Sequence, residues 1–263
     1  MDNENLKFVF WNINKNSNNI DLIVKHAKQN DIDIIVLCEV IGIKEHDISP
    51  YVLIEHIQKT NGIEVLIKPN IVANYVRELN RICILHIENN LISTMVVAHL
   101  NSDYNSTGKN YRKADIETIK NNILLEEDKY SNKNTFIVGD LNENVLSDEI
   151  MDITGLCVKY FKFQMDKLVH LHEQVYEPFY DPILGLYKDN DKDDMPKGTY
   201  YYHQHELGWL CLDHVLLKKD LANQFCNDSL KILSNLNGFN LMEKNKPKEG
   251  TSDHLPIYFE LKI

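Results

Sequence analysis

Five short polar blocks, FVFWNIN, VLCEV, VAHLNS, IVGDLN and TSDHLPI, each close an apolar run and deliver Asn12, Glu39, His99, Asp140, Asn142, Asp253 and His254. The carboxylates Glu39, Asp140 and Asp253 are spread over more than two hundred residues. They can share a hard, oxygen-seeking cation only if a folded sheet brings the ends of its strands to one edge. Cleavage of a phosphoester asks for these residue types: a cation to neutralise the non-bridging oxygens, an activated water, and donors aimed at the pentacoordinate transition state. Taken singly each residue has a plain reading, Asp140 in Gly-Asp-Leu-Asn as a turn former, Asn12 as a turn residue, Glu39 as a strand-end charge. Their joint occurrence points to a site.

The elements that must position these blocks follow from periodicity. Leu6 to Ile13 alternates and is rich in Phe, Val and Trp, which predicts a strand; Asn18 or Asn19 then caps a helix with Ile20, Ile23, Val24 and Ala27 on one face. The continuous apolar run Ile32 to Val40 predicts a strand buried on both faces. Further strands are expected at Val52 to Ile57, Glu64 to Lys68, Arg81 to Glu88 and Leu91 to Leu100, the last two joined by a turn at Asn89-Asn90. Ile116, Ile119 and Ile123 place a helix over Lys109 to Tyr130, and Thr135 to Val138 is a strand ending in Gly139-Asp140. Ser147 or Asp148 caps a short helix stopping at Gly155, and strands are expected around Leu156 to Phe163, Thr199 to Tyr202, Cys211 to Leu217 and Pro256 to Ile263. Two strand-rich batches with few helices predict an α+β protein: a four-layer α/β sandwich of two mixed β-sheets packed face to face and flanked by helices.

At 263 residues and 43% hydrophobic content, without a composition break, the chain is expected to form a single domain over 1–263. Its least regular part, Gln164 to Lys197, reads as an insertion. There the run DNDKDD resembles the opening of a calcium loop, but Asp194 and Tyr200 stand where Gly and the bidentate Glu are needed, so a solvated acidic loop is favoured. No basic and apolar leader is evident and no stretch is apolar enough for a membrane span, so a soluble, cytoplasmic protein without membrane insertion is expected. Five scattered cysteines suit reduced thiols. A net charge of −11 opposes passive binding to a nucleic-acid backbone. The best local exception is Lys109, Arg112 and Lys113 with Tyr111, whose plain reading is a solvated helix start. The pairs His170/His172 and His203/His205 have strand spacing, yet lack the further ligands of a zinc site and read as surface residues.

With the segment CLDHVLL, the five blocks resemble the endonuclease/exonuclease/phosphatase superfamily, the deoxyribonuclease I-like proteins, from about residue 6 to the C-terminus apart from the insertion. GDLN followed far downstream by SDHLPI is the most specific part. The resemblance implies a magnesium-dependent phosphodiester hydrolase, with Mn²⁺ able to substitute. Glu39 would be the principal metal ligand, Asp253 would lie beside the metal, and Asn12 would bond near metal and phosphate. Asp140 and Asn142 would face the phosphate and attacking water, Asp213 would pair with His254, and His99 would contact phosphate with Asn101 as its neighbour; Lys109 and Arg112 are candidate substrate contacts on local charge alone, not through the resemblance. The substrate expected is DNA or RNA, cut to 5′-phosphate and 3′-hydroxyl ends. The alternatives are a phosphatase or phosphodiesterase acting on a small phosphoester or lipid headgroup, and an inactive binding scaffold. His99 stands where abasic-site endonucleases place Tyr, LCLDHVL lacks the Trp-Cys-Asp-Arg of inositol polyphosphate phosphatases, and Cys211 replaces an Arg that many relatives carry.

Overall fold

The structure is a computed structural model that describes residues 5–58, 62–89, 91–102, 108–186, 195–206 and 208–262. Thirteen strands make its two large sheets: β1 (Leu6–Asn12), β2 (Ile34–Cys38), β3 (Val52–Leu53), β4 (Glu64–Ile67), β5 (Val72–Leu79), β6 (Ile82–Asn89), β7 (Leu91–His99), β8 (Thr135–Asp140), β9 (Val158–Lys159), β10 (Phe179–Tyr180), β11 (Asp213–Leu217), β12 (Lys231–Ile232) and β13 (Ile257–Leu261). The helices are α1 (Asn18–Gln29), α2 (Gly108–Tyr130), α3 (Asp148–Met151) and α4 (Lys219–Gln224). The six-stranded sheet runs β12-β13-β1-β2-β4-β3 and the seven-stranded sheet β5-β6-β7-β8-β11-β10-β9. Both are mixed, since β1 and β2 are parallel in one and β7 and β8 in the other, among antiparallel neighbours.

The alternation in β1 explains the layers. Phe8 and Phe10 point into the core between the sheets, where Phe8 stacks on Phe259 at 4.8 Å and meets Phe136 of the other sheet edge-on at 5.6 Å. Val9 and Trp11 point the other way and pack with Ile20, Ile23, Val24 and Ala27 of α1. On the outer face of the second sheet, Ile116, Ile119 and Ile123 of α2 cover Ile84, Val96 and Ile137. Helix, sheet, sheet, helix is the expected four-layer order. No helix among the described residues is long and apolar enough to cross a membrane, and four of the five cysteines are buried, none in a disulfide.

Several sequence expectations are corrected. Only Val52–Leu53 of the run to Ile57 is strand, and only Val158–Lys159 of Leu156 to Phe163. The strand β5 was not anticipated, because its buried Ala73 and Tyr75 alternate with Asn74 and other exposed positions in a sheet-edge pattern that reads as polar. The interior of the supposed insertion also takes part in the core: Phe179 lies in β10 and Ile183 is fully buried between the sheets. The acidic run and Tyr187 lie outside the described residues.

Candidate active site

Register puts the polar blocks at one end of both sheets. Asn12 pairs with Cys38 across the parallel β1 and β2, so Glu39 leaves the sheet one step beyond it. His99 pairs with Asp140 across the parallel β7 and β8, and Asp213, the first residue of β11, pairs with Asp140 from the other side. Asp253 and His254 lie just before β13, antiparallel to β1. Gly139 permits the close approach of β7 and β8 here: a Cβ at this position would stand 1.9 Å from the carbonyl oxygen of Ala98.

These neighbours form one connected set. Asn12 Nδ2 donates to Asp140 Oδ2 at 2.9 Å and reaches Glu39 Oε1 at 3.4 Å, while Asn12 Oδ1 accepts from the Asn14 amide. Asn12 therefore presents a donor to the carboxylates; its oxygen is already engaged. His254 Nδ1 is 2.8 Å from Asp213 Oδ2, and His254 Nε2 is 3.6 Å from Asp140 Oδ2. His99 Nε2 lies 3.5 Å from Glu39 and 3.9 Å from Asp140. Asn142, at a φ of 51°, donates its backbone amide to Asp140 Oδ1 and its side-chain amide to the Leu100 carbonyl.

Burial lowers the pKa of His254, but the charges of Asp213 and Asp140 outweigh it and raise the imidazole to about 10. These carboxylates favour the protonated ring. The donor atoms of Asp140, Asp213 and His254 lie within 4.8 Å of one another, near enough to hold a cation. Because His254 is tied to Asp213 and carries a proton, the better oxygen donors for a hard cation are Glu39, whose side chain is 23% exposed, and the half-buried Asp253. Among the described residues the ammonium closest to Glu39 is that of Lys15, at 3.8 Å.

Residues the sequence reading passed over hold the set in place. Trp11 Nε1 donates to the His254 carbonyl, Ser252 Oγ donates to the Asn12 carbonyl, and the His254 amide donates to Ser252 Oγ. Thr199 Oγ1 accepts from the Leu212 and Asp213 amides. Beneath them His214, fully buried, binds Asp181 Oδ2 at 2.7 Å and the Glu143 carbonyl at 2.8 Å, so Asp181 of the supposed insertion braces the strand that carries Asp213. Tyr200 pairs with His254 across a bridge and its ring lies 4.6 Å from the imidazole, with Tyr202 stacked beyond it at 6.4 Å. The pair Asp-His in LDH was the one available signal for the buried brace.

The expected substrate contacts are not brought to this set. Arg112 is 1% exposed and bonds to Glu143 Oε1 at 2.5 Å and to the Asn101 carbonyl, a buried ion pair that joins α2 to the loop after Asp140. Asn101 gives its amide to Asp115, and Lys109 pairs with Glu149 at 3.2 Å. His170, His172, His203 and His205 are exposed. Two aromatics of the Gln164 to Lys197 segment also lie away from this set, Tyr176 under Lys120 and Phe179 under Lys218. They flank a hollow of about 1560 Å³ beside α2 that includes none of the site residues. Replacing Arg112 by Ala strands Glu143 and should lower unfolding free energy by about 3–5 kcal/mol in denaturant titration, whereas a loss below about 1 kcal/mol would show the pair to be dispensable.

No family model matches this chain, and no curated protein matches it. Solved structures do. The endonuclease domain of TRAS1, a telomere-specific non-LTR retrotransposon, is 12% identical with a TM-score of 0.57, covering 98% of each chain. D. rerio TDP2 complexed with single strand DNA product is 14% identical over 98% of each chain, with a TM-score of 0.57. Truncated Caenorhabditis elegans TDP2 is 16% identical over 98% of this chain and 97% of its own, with a TM-score of 0.56. At such identities the likeness is one of fold: the chain has the same deoxyribonuclease I-like α/β sandwich, two mixed sheets packed face to face.

Proposed function

We propose that this protein is a magnesium-dependent phosphodiester hydrolase, a nuclease that leaves 5′-phosphate and 3′-hydroxyl ends. The observation that carries the reading is the buried chain Asp213–His254–Asp140, with Asn12, Glu39 and His99 beside it at one end of both sheets. Glu39 and Asp253 would hold the cation, which when bound neutralises charge on the non-bridging oxygens. Asp140 is positioned to accept the proton of the attacking water. His254, kept protonated by Asp213, donates to the phosphoryl oxygens as negative charge grows there. Asn12 and Asn142 keep Asp140 oriented through their donated hydrogen bonds.

Nucleic acid is favoured over a small phosphoester by the Tyr200–Tyr202 stack beside His254, since exposed rings stack on bases without needing a basic surface. The neighbour bound to single strand DNA product supports the same choice. Tyr202, 38% exposed, stacks on Tyr200 and can be replaced alone. Tyr202→Ala should raise the KM for a single-stranded oligonucleotide by about fivefold or more, in line with 1–3 kcal/mol per stacked base. Hydrolysis of bis-p-nitrophenyl phosphate should be unchanged. Equal losses on both substrates would remove base stacking from the account.

A further inference from the structure

A second group of donors converges where edge strands of the two sheets meet. Glu64 opens β4, Glu78 pairs with Cys83 across β5 and β6, and His56 follows β3. His56 Nε2 is 2.9 Å from Glu64 Oε2, and its Nδ1 is hydrogen-bonded to Glu78. One donor atom each from His56, Glu78 and Cys83 lies within 4.8 Å of the other two. Glu78 and Cys83 are buried, and neither has a part in the chemistry above.

Tyr75 supplies an independent sign. It is 7% exposed, its ring stacks on His56 at 4.7 Å, and its buried hydroxyl has no hydrogen-bond partner among the described residues. A buried hydroxyl left unbonded is costly, and a water held by a bound ion would satisfy it.

We propose that His56, Glu78 and Cys83 bind a zinc-class divalent ion, with Glu64 as the outer partner of the histidine. Imidazole and thiolate donors favour zinc over magnesium. In this arrangement the ion takes the place of the proton between His56 Nδ1 and Glu78, and Nε2–H remains on Glu64, the carboxylate–histidine pairing that fixes the ring at metal centres. A water on the ion's fourth position would give the Tyr75 hydroxyl its missing partner. The ion would pin the segment after β3 to β5 and β6, tying the two sheet edges together without taking part in hydrolysis.

Cobalt(II) titration of the chelator-stripped full-length protein tests this, because only a thiolate-bound cobalt gives strong near-ultraviolet charge transfer. The parent should show that band, Glu39→Gln should keep it, and Cys83→Ser should lose it. Glu64→Gln should weaken the cobalt affinity read from the band by roughly 10–100-fold. Absence of the band in the parent would overturn the site and leave a histidine shared between two glutamates by protons alone. Persistence of the band in Cys83→Ser would assign it to another thiol and overturn it equally. Should Cys83→Ser fail to fold, His56→Ala decides: a band of unchanged affinity rejects the site, and its loss supports it.

Discussion

Glu39→Gln should cut cation-dependent hydrolysis by on the order of 10²–10³-fold or more while the protein stays folded. The substitution removes an anionic oxygen and nearly preserves volume, and Glu39 stands just beyond β2 with its side chain partly open, outside the packed interior. Its contacts with Asn12 and His99, at 3.4 and 3.5 Å, are long enough that their loss costs the fold little. A circular dichroism spectrum and melting curve like those of the parent, with activity nearly gone, is the expected pair of results. Full activity at ordinary magnesium concentrations would remove Glu39 from the site.

The second large effect concerns His254 and Asp213. Joined at 2.8 Å and both buried, they should act as one unit. His254→Ala and Asp213→Ala should each lower kcat by about a hundredfold or more, and the double variant should fall little below the worse single. Multiplicative losses would show that the two act separately. The sign of the pH dependence follows from charge: Asp213 holds the His254 proton, and the imidazolium persists until the pH nears the raised value of about 10. Activity that requires this proton declines as the pH rises through that range. Asp213→Asn removes the supporting charge, so the alkaline limb of kcat should move to lower pH; a limb in the same place would assign the titration to another group.

Much of the site was legible in the sequence because each block closes a short apolar run, and strands that end together deliver their last residues together. Asp140 after Gly139 and Glu39 after Cys38 are cases where a buried strand stops at a polar residue the core does not need. What escaped depended on packing. Arg112 looked like a solvated cation, yet Glu143, three residues past Asp140, draws it into the interior. Asp181 and His214 lie 33 residues apart, and their partnership exists only because β10 and β11 are neighbours. Tyr200 belonged to an unremarkable aromatic run until its bridge to His254 set it beside the candidate site. His56 and the donors around it, Glu64, Glu78 and Cys83, come from four separate segments, each carrying one ordinary residue, so no spacing could announce them.

The most direct test is cleavage of an end-labelled single-stranded DNA by the purified protein, followed with Mg²⁺, with EDTA, and after Mg²⁺ is restored, alongside Glu39→Gln. The account predicts products with 5′-phosphate and 3′-hydroxyl ends, formed only when the cation is present and nearly absent with the variant. Cleavage that continues in EDTA, or that Glu39→Gln performs as well as the parent, would contradict it.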